Sequence, residues 1–183
     1  ARTRVKRAGL SDRVLLLRGD IRALPLPDAP ARRRRGARRR GLAMVVAPYG
    51  ILQSLLRERD LAATLAEVRR VLEPGGTFGL ELVADLPAWD EYRKRVSLKG
   101  WRHRQGGSHV TLVETVRQDR ARQRTIFDQE FTERRNGRRK VHRFSLAFRT
   151  LTVPQMVSRL EGAGFVIVGE SHDSAADHAI QLE

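Results

Sequence analysis

Apolar residues along this chain fall into three regimes: solid runs, stripes at helical spacing, and strict alternation. The first nine residues, ARTRVKRAG, read as the closing turns of a basic helix stopped by Gly9. Val14 to Leu17 is a solid apolar run and predicts a short buried strand leading into Gly19-Asp20. A proline-rich loop follows (Leu24-Pro25-Leu26-Pro27-Asp28). Beyond an arginine run, a second strand is expected over Leu42 to Ala47, broken by Pro48-Tyr49-Gly50. Ile51, Leu52, Leu55 and Leu56 share one helical face. After Arg59-Asp60, the residues Leu61, Leu65, Val68, Val71 and Leu72 recur at the spacing of a longer helix. Glu73-Pro74-Gly75-Gly76 ends that helix, and Thr77 to Val83 reads as a third strand. Strand, helix, strand with short links predicts a parallel sheet covered by helices.

The pattern then changes. Leu86, Trp89, Tyr92 and Val96 suggest a short amphipathic helix over residues 86–95. From Val110 to Leu151 the period becomes two, with breaks at Asp119-Arg120 and Asn136-Gly137, so an antiparallel meander of about three strands is expected. Pro154 opens a final helix carrying Met156, Val157 and Leu160 and ended by Gly162 and Gly164. Strands are expected over Phe165 to Val168 and Ala179 to Leu182. The chain thus reads as one α/β domain: residues 1–84 and 152–183 form the layered part, and 85–151 a helix plus an antiparallel insertion.

Composition narrows the function only slightly. No apolar stretch approaches the length of a membrane span, so no membrane partner is expected. The absence of cysteine excludes disulfides and thiolate metal sites and fits a cytoplasmic setting. Five histidines are scattered without metal-site spacing, and no metal is expected. The formal charge of +15 would draw in nucleic acid. Seven of the arginines, however, crowd into residues 32–40, RRRRGARRR, which reads as a solvated insertion.

Three segments, LLRGDIRALPLP, MVVAPYGILQSL and LAEVRRVLEPGGTFGLEL, resemble the middle of class I S-adenosylmethionine-dependent methyltransferases, in the family's order. The ending LTVPQMVSRLEGAGFVIVGE resembles that family's last helix and the strand after it. The resemblance implies a Rossmann-like sheet with an antiparallel meander insertion, S-adenosylmethionine as cofactor and a small-molecule methyl acceptor. In an open α/β sheet, ligands bind outside the carboxyl ends of the strands. By the resemblance, Asp20 there accepts the adenine amino group and Ile21 forms an apolar wall. Ala47, Pro48 and Tyr49 would border the methyl-donating sulfonium. Tyr49, Gln53, Trp89 and Tyr92 are candidate acceptor contacts, with Glu81 a further wall. Phe127, Phe131, Phe144 and Phe148 would line the meander as core or lid. A sulfonium is a strong electrophile, so alignment of donor and acceptor can supply most of the acceleration, and no catalytic residue is assigned.

The family's glycine-rich loop is not found upstream of Asp20, where 19 residues cannot hold two strands, a loop and a helix. The expectation is an amino-terminally truncated domain, its sheet incomplete and lacking the first strands. Such a chain would be marginally folded, would bind cofactor weakly or not at all, and would be inactive alone. The competing readings are an RNA methyltransferase fragment and a basic, non-catalytic nucleic-acid-binding module. Against the first, the strand end reads Ala47-Pro48-Tyr49 rather than the Asn/Asp-Pro-Pro-aromatic motif of base amino-group methylation.

Overall fold

The structure, a computed structural model, describes residues 1–29, 41–102, 108–172 and 178–182. The arginine run at 32–40 lies outside the described residues. Helix α1 spans Arg2–Arg7, with Gly9 in the left-handed region behind it. Strand β1 (Leu42–Ala47) is followed by a single tight turn, Ile51–Ser54. Helix α2 covers Glu58–Val71, and β2 covers Leu72–Leu82. A four-stranded meander follows: β3 (Tyr92–Arg102), β4 (Ser108–Asp119), β5 (Arg124–Arg135) and β6 (Arg138–Arg149). Helix α3 (Val153–Gly162), β7 (Ile167–His172) and β8 (His178–Leu182) complete the order.

Two sheets result. The first has the order β1-β2-β8-β7, with β1 parallel to β2 and β8 antiparallel to both its neighbours. The second is the meander, β3-β4-β5-β6, antiparallel throughout. The expected α/β core with an antiparallel insertion is therefore present. Its main core gathers Leu61, Leu65 and Val68 from α2, Phe78, Leu80 and Leu82 from β2, and Met156 and Leu160 from α3. Helix α2 forms because these apolar residues line one stripe, Glu58 and Asp60 occupy its first turn, and Arg69 and Arg70 its last, each matched to the local helix dipole. Helix α3 is fixed at its start by a capping box: Thr152 Oγ1 accepts from the Gln155 amide, and the Gln155 side chain accepts from the Thr152 amide.

Five local expectations need correction. Val14 to Leu17 is not a buried strand: its side chains are 37–79% exposed, and no described segment pairs with it. An apolar run becomes an interior strand only when neighbours satisfy its backbone and cover its faces. The helix expected over Ile51 to Leu56 is one short turn, after which the chain extends at Leu55. The helix expected over 86–95 shrinks to a turn at Leu86–Ala88, because Gln118 and Thr125 claim backbone carbonyls there. Gln118 Nε2 donates to the carbonyls of Leu86 (2.8 Å) and Trp89 (3.2 Å), and Thr125 Oγ1 donates to Leu86 (2.9 Å). Tyr92 onward then joins the meander as a fourth strand, β3, where three strands were expected. Finally, Phe165 stays buried against Phe78 in the turn before β7, so that strand starts at Ile167 rather than Phe165.

Glu58 ties this frame together electrostatically. Its carboxylate accepts from Arg159 on α3 (2.7 Å) and from Arg149 at the end of β6 (2.6 Å). The hydrogen bond from Arg159, supported by Arg149 and opposed by partial burial, holds its pKa below the ordinary value. A carboxyl depressed in the folded state contributes stability above its unfolded pKa and loses it as pH falls through the folded value. Glu58→Gln should therefore lower stability at neutral pH by about 0.2–1 kcal/mol, since the carboxylate is half exposed. The gap between variant and wild type should narrow and then close as pH falls through the lowered pKa of the folded carboxyl. Denaturant midpoints measured across pH would check this, and a gap independent of pH would refute it.

Candidate functional site

Strand β1 ends at Ala47, and the chain turns immediately at Pro48-Tyr49-Gly50. Tyr49 and Gly50 both take left-handed backbone conformations, with φ of 58° and 59°. For tyrosine this is strained, and such strain persists only where the surroundings impose it. Here the restraint is Glu81 on the neighbouring strand, whose carboxylate accepts from the Tyr49 amide. The Tyr49 side chain is 85% exposed, so the strain presents a ring and hydroxyl outward rather than burying them.

Helix α2 leaves the carboxyl end of β1 and returns to the start of β2, so its first turn also lies at the carboxyl end of the sheet. Residues 20–29 run down this helix. Arg22 bonds Asp60 in the first turn (2.9 Å), the Leu24 amide donates to Glu67 (2.7 Å), and Arg70 in the last turn holds the Leu26 carbonyl (2.8 Å) and Asp28 (2.6 Å). Asp20 and Ile21 thereby sit at the same end of the sheet as Ala47, Pro48 and Tyr49. Asp20 accepts from the guanidinium and the backbone amide of Arg22, which lowers its pKa to about 2. It is ionised at neutral pH, half exposed, and already partnered. An incoming adenine amino group would have to share it with Arg22.

Gln53, a candidate acceptor contact by the sequence, faces inward. It is fully buried, and its amide is committed to backbone groups. Nε2 donates to the carbonyls of Val83 and Arg149, both at 3.0 Å, and Oε1 accepts from the Val83 amide at 2.8 Å. Polarity alone could not distinguish a pocket-rim glutamine from this one.

Above the strand ends sits a second small core of Leu86, Val116 and Phe127, packed against Val83, Tyr92 and Phe148. Trp89 meets Phe127 edge to face at 5.3 Å, and Phe148 does the same at 5.8 Å. From this junction one face of the meander extends outward in rows set by the strand register. Tyr92, Val116, Phe127 and Leu146 form the first row; Arg95, Glu114, Gln129 and Phe144 the second; Leu98, Leu112, Phe131 and His142 the third. Leu98, Phe144 and Leu146 are about half exposed. Glu114 is the one carboxylate in the first two rows, and it accepts from the Tyr92 hydroxyl (2.5 Å) and from Gln129 Nε2 (2.6 Å). Burial and the adjacent Glu114 raise the Tyr92 pKa, so its hydroxyl stays a proton donor at neutral pH. The face therefore offers aromatic and aliphatic surface with one anionic centre, and Arg95 opposite Glu114 lays its guanidinium over the Tyr92 ring (5.4 Å to the centroid). Glu114 was not singled out from the sequence. It stands among alternating strand residues, and only the register reveals that it shares a face with Tyr92 and Phe144.

No family model matches this chain, and no curated protein matches it by sequence. Solved structures do match it. An S-adenosylmethionine-dependent methyltransferase from Clostridium acetobutylicum superposes with a TM-score of 0.72 at 11% identity, covering 100% of this chain and 68% of the other. The fold is that of the S-adenosylmethionine-dependent methyltransferases. A sugar N-methyltransferase from Streptoalloteichus gives a TM-score of 0.67 at 9% identity, covering 95% of this chain and 66% of its own. An amino pentose methyltransferase from Micromonospora echinaspora, solved with S-adenosylmethionine bound, gives 0.59 at 15% identity, covering 90% and 62%. The methyltransferase-fold chain thus spans about two thirds of the length of these proteins. Among its described residues no cluster of ligands could hold a metal ion, and no helix is long and apolar enough to cross a membrane.

Proposed function

We propose that this methyltransferase fold serves methyl transfer from S-adenosylmethionine to a small-molecule acceptor. The observation that carries the reading is the strained, outward-facing Tyr49, held by Glu81 where β1 ends and the meander core begins. In this reading Asp20 and Ile21 receive the adenine end of the cofactor. Ala47, Pro48 and Tyr49 border the sulfonium. Trp89, Tyr92 and the meander face beyond them receive the acceptor, which needs an apolar body and a group that can donate to Glu114. Neighbours of the same fold that methylate sugars and an amino pentose support a small acceptor. The cofactor supplies the electrophilic methyl group, and the residues of this chain orient it and the acceptor.

The 183 residues contain no GxGxG-like loop, the element that by resemblance grips the cofactor's amino-acid and ribose portions. Taken alone, this chain should therefore bind S-adenosylmethionine weakly and turn over poorly. A titration followed by amide NMR shifts tests both parts. Millimolar affinity is expected, with amide shifts confined to Asp20, Ile21, Ala47 and Tyr49 on the order of those for a weak ligand. Micromolar binding would overturn the weak-binding claim, and shifts elsewhere would overturn the site. The formal charge of +15 favours one alternative, a basic nucleic-acid-binding module. Salt-dependent binding to unrelated DNA and RNA, lost on deleting residues 32–40, would support that alternative instead.

A further inference from the structure

Between the four-stranded β1-β2-β8-β7 sheet and the meander the chain crosses twice: outward after β2, at Val83, and back after β6, at Arg149. One side chain addresses both crossings. Gln53 donates to the Val83 and Arg149 carbonyls and accepts from the Val83 amide, although these partners lie 30 and 96 residues away in sequence. It does so from the turn that immediately follows Tyr49 and Gly50.

We infer that Gln53 is a positioning residue, a latch that sets the meander face relative to the carboxyl ends of β1 and β2. The latch itself is independent of the proposed reaction; that it aligns acceptor with methyl donor rests on the methyltransferase reading. Burial by itself does not call for an amide here. Leu52 beside it and the neighbouring core are apolar, and leucine or methionine would fill similar volume. What an amide adds is direction. Two donors and one acceptor, each aimed at a different backbone group, are satisfied together only when the Tyr49 turn, the outward crossing and the return crossing stand in one arrangement. If transfer depends on donor–acceptor alignment, a side chain far from the methyl group can govern it through that arrangement.

Hydrogen exchange read by mass spectrometry on the 183-residue chain tests the latch without an acceptor. In Gln53→Met, exchange corrected for intrinsic rates should rise about tenfold or more at residues 48–54, 83–91 and 149–152 together, with α2 and β4–β5 unchanged. Thr64→Val, which removes another buried hydrogen bond (Oγ1 to the Asp60 carbonyl, 2.9 Å), should not open the crossings. Gln53→Glu supplies the second arm. At about pH 5 a buried, protonated carboxyl still donates once and accepts once and should stay near wild type. At about pH 8, once ionised, it faces two carbonyl oxygens and should open the same three segments. Uniform acceleration along the chain in both Gln53 variants, equal opening in Thr64→Val, or no change at the crossings would overturn the proposal. Failure of the cofactor titration leaves these outcomes unaffected, so the latch and the reaction are tested separately.

Discussion

Phe78→Ala should cost about 3–5 kcal/mol and bring the chain close to unfolding at room temperature, because small domains hold only about 5–15 kcal/mol in total. Phe78 is fully buried on β2, the strand that separates β1 from β8. Its ring lies 5.5 Å from that of Phe165, and it shares one core with Leu61 and Leu65 of α2 and Met156 and Leu160 of α3. Truncation leaves a cavity where both helices meet the sheet. Guanidinium unfolding should show a lowered midpoint with an unchanged slope. A loss below about 1 kcal/mol would mean that the helices are not packed on β2 as described.

The second large effect is expected at the turn that the sequence flags as Pro-Gly-Gly. Gly75 has a φ of 76°, so an alanine there suffers the ordinary left-handed penalty of about 1–2 kcal/mol. Gly76 is constrained differently. A β-carbon on it would lie 2.9 Å from the Glu73 carbonyl oxygen, 3.0 Å from that of Leu42 and 3.2 Å from that of Ala43. All three are backbone atoms, so none can swing aside, and the bulge where β1 first meets β2 has to open. Gly76→Ala should lower stability by about 1–3 kcal/mol, and Gly76→Val by more than Gly75→Val. Thermal unfolding of the four variants ranks them. The reverse order would place the critical contact at the wrong glycine.

The layered part of the fold was legible because its signals are local and redundant. Strand β1, helix α2 and the Pro-Gly-Gly turn each carry their own periodicity and breakers, and Asn136-Gly137 announces its hairpin unaided. The misses share one physical origin, which is that the deciding partner is distant in sequence. Val14 to Leu17 has the composition of a buried strand, but burial depends on a neighbour that no local pattern encodes. Residues 86–95 have helical spacing, yet Gln118 and Thr125, some thirty residues on, take the carbonyls a helix would use. The same holds at the site. Tyr49 could be singled out from the strand end it follows and Asp20 from the family resemblance, whereas Arg22 as the partner of Asp20, Glu81 as the clamp on Tyr49 and the inward turn of Gln53 emerge only from the packing.

The position of β8 has a consequence for how the molecule assembles. The segment that pairs with β2 on one side and β7 on the other comes about a hundred residues after β2. Any growing chain that stops short of residue 178 therefore presents β2 and β7 to the solvent as two unsatisfied edges facing a vacant slot. Loop closure over such a span is slow compared with forming α2 or a meander hairpin. The meander, built from neighbouring strands, should thus be complete well before the sheet it sits on. A nascent chain would spend its vulnerable interval with the meander already formed and the slot still open, exposed to chaperones and proteases there first.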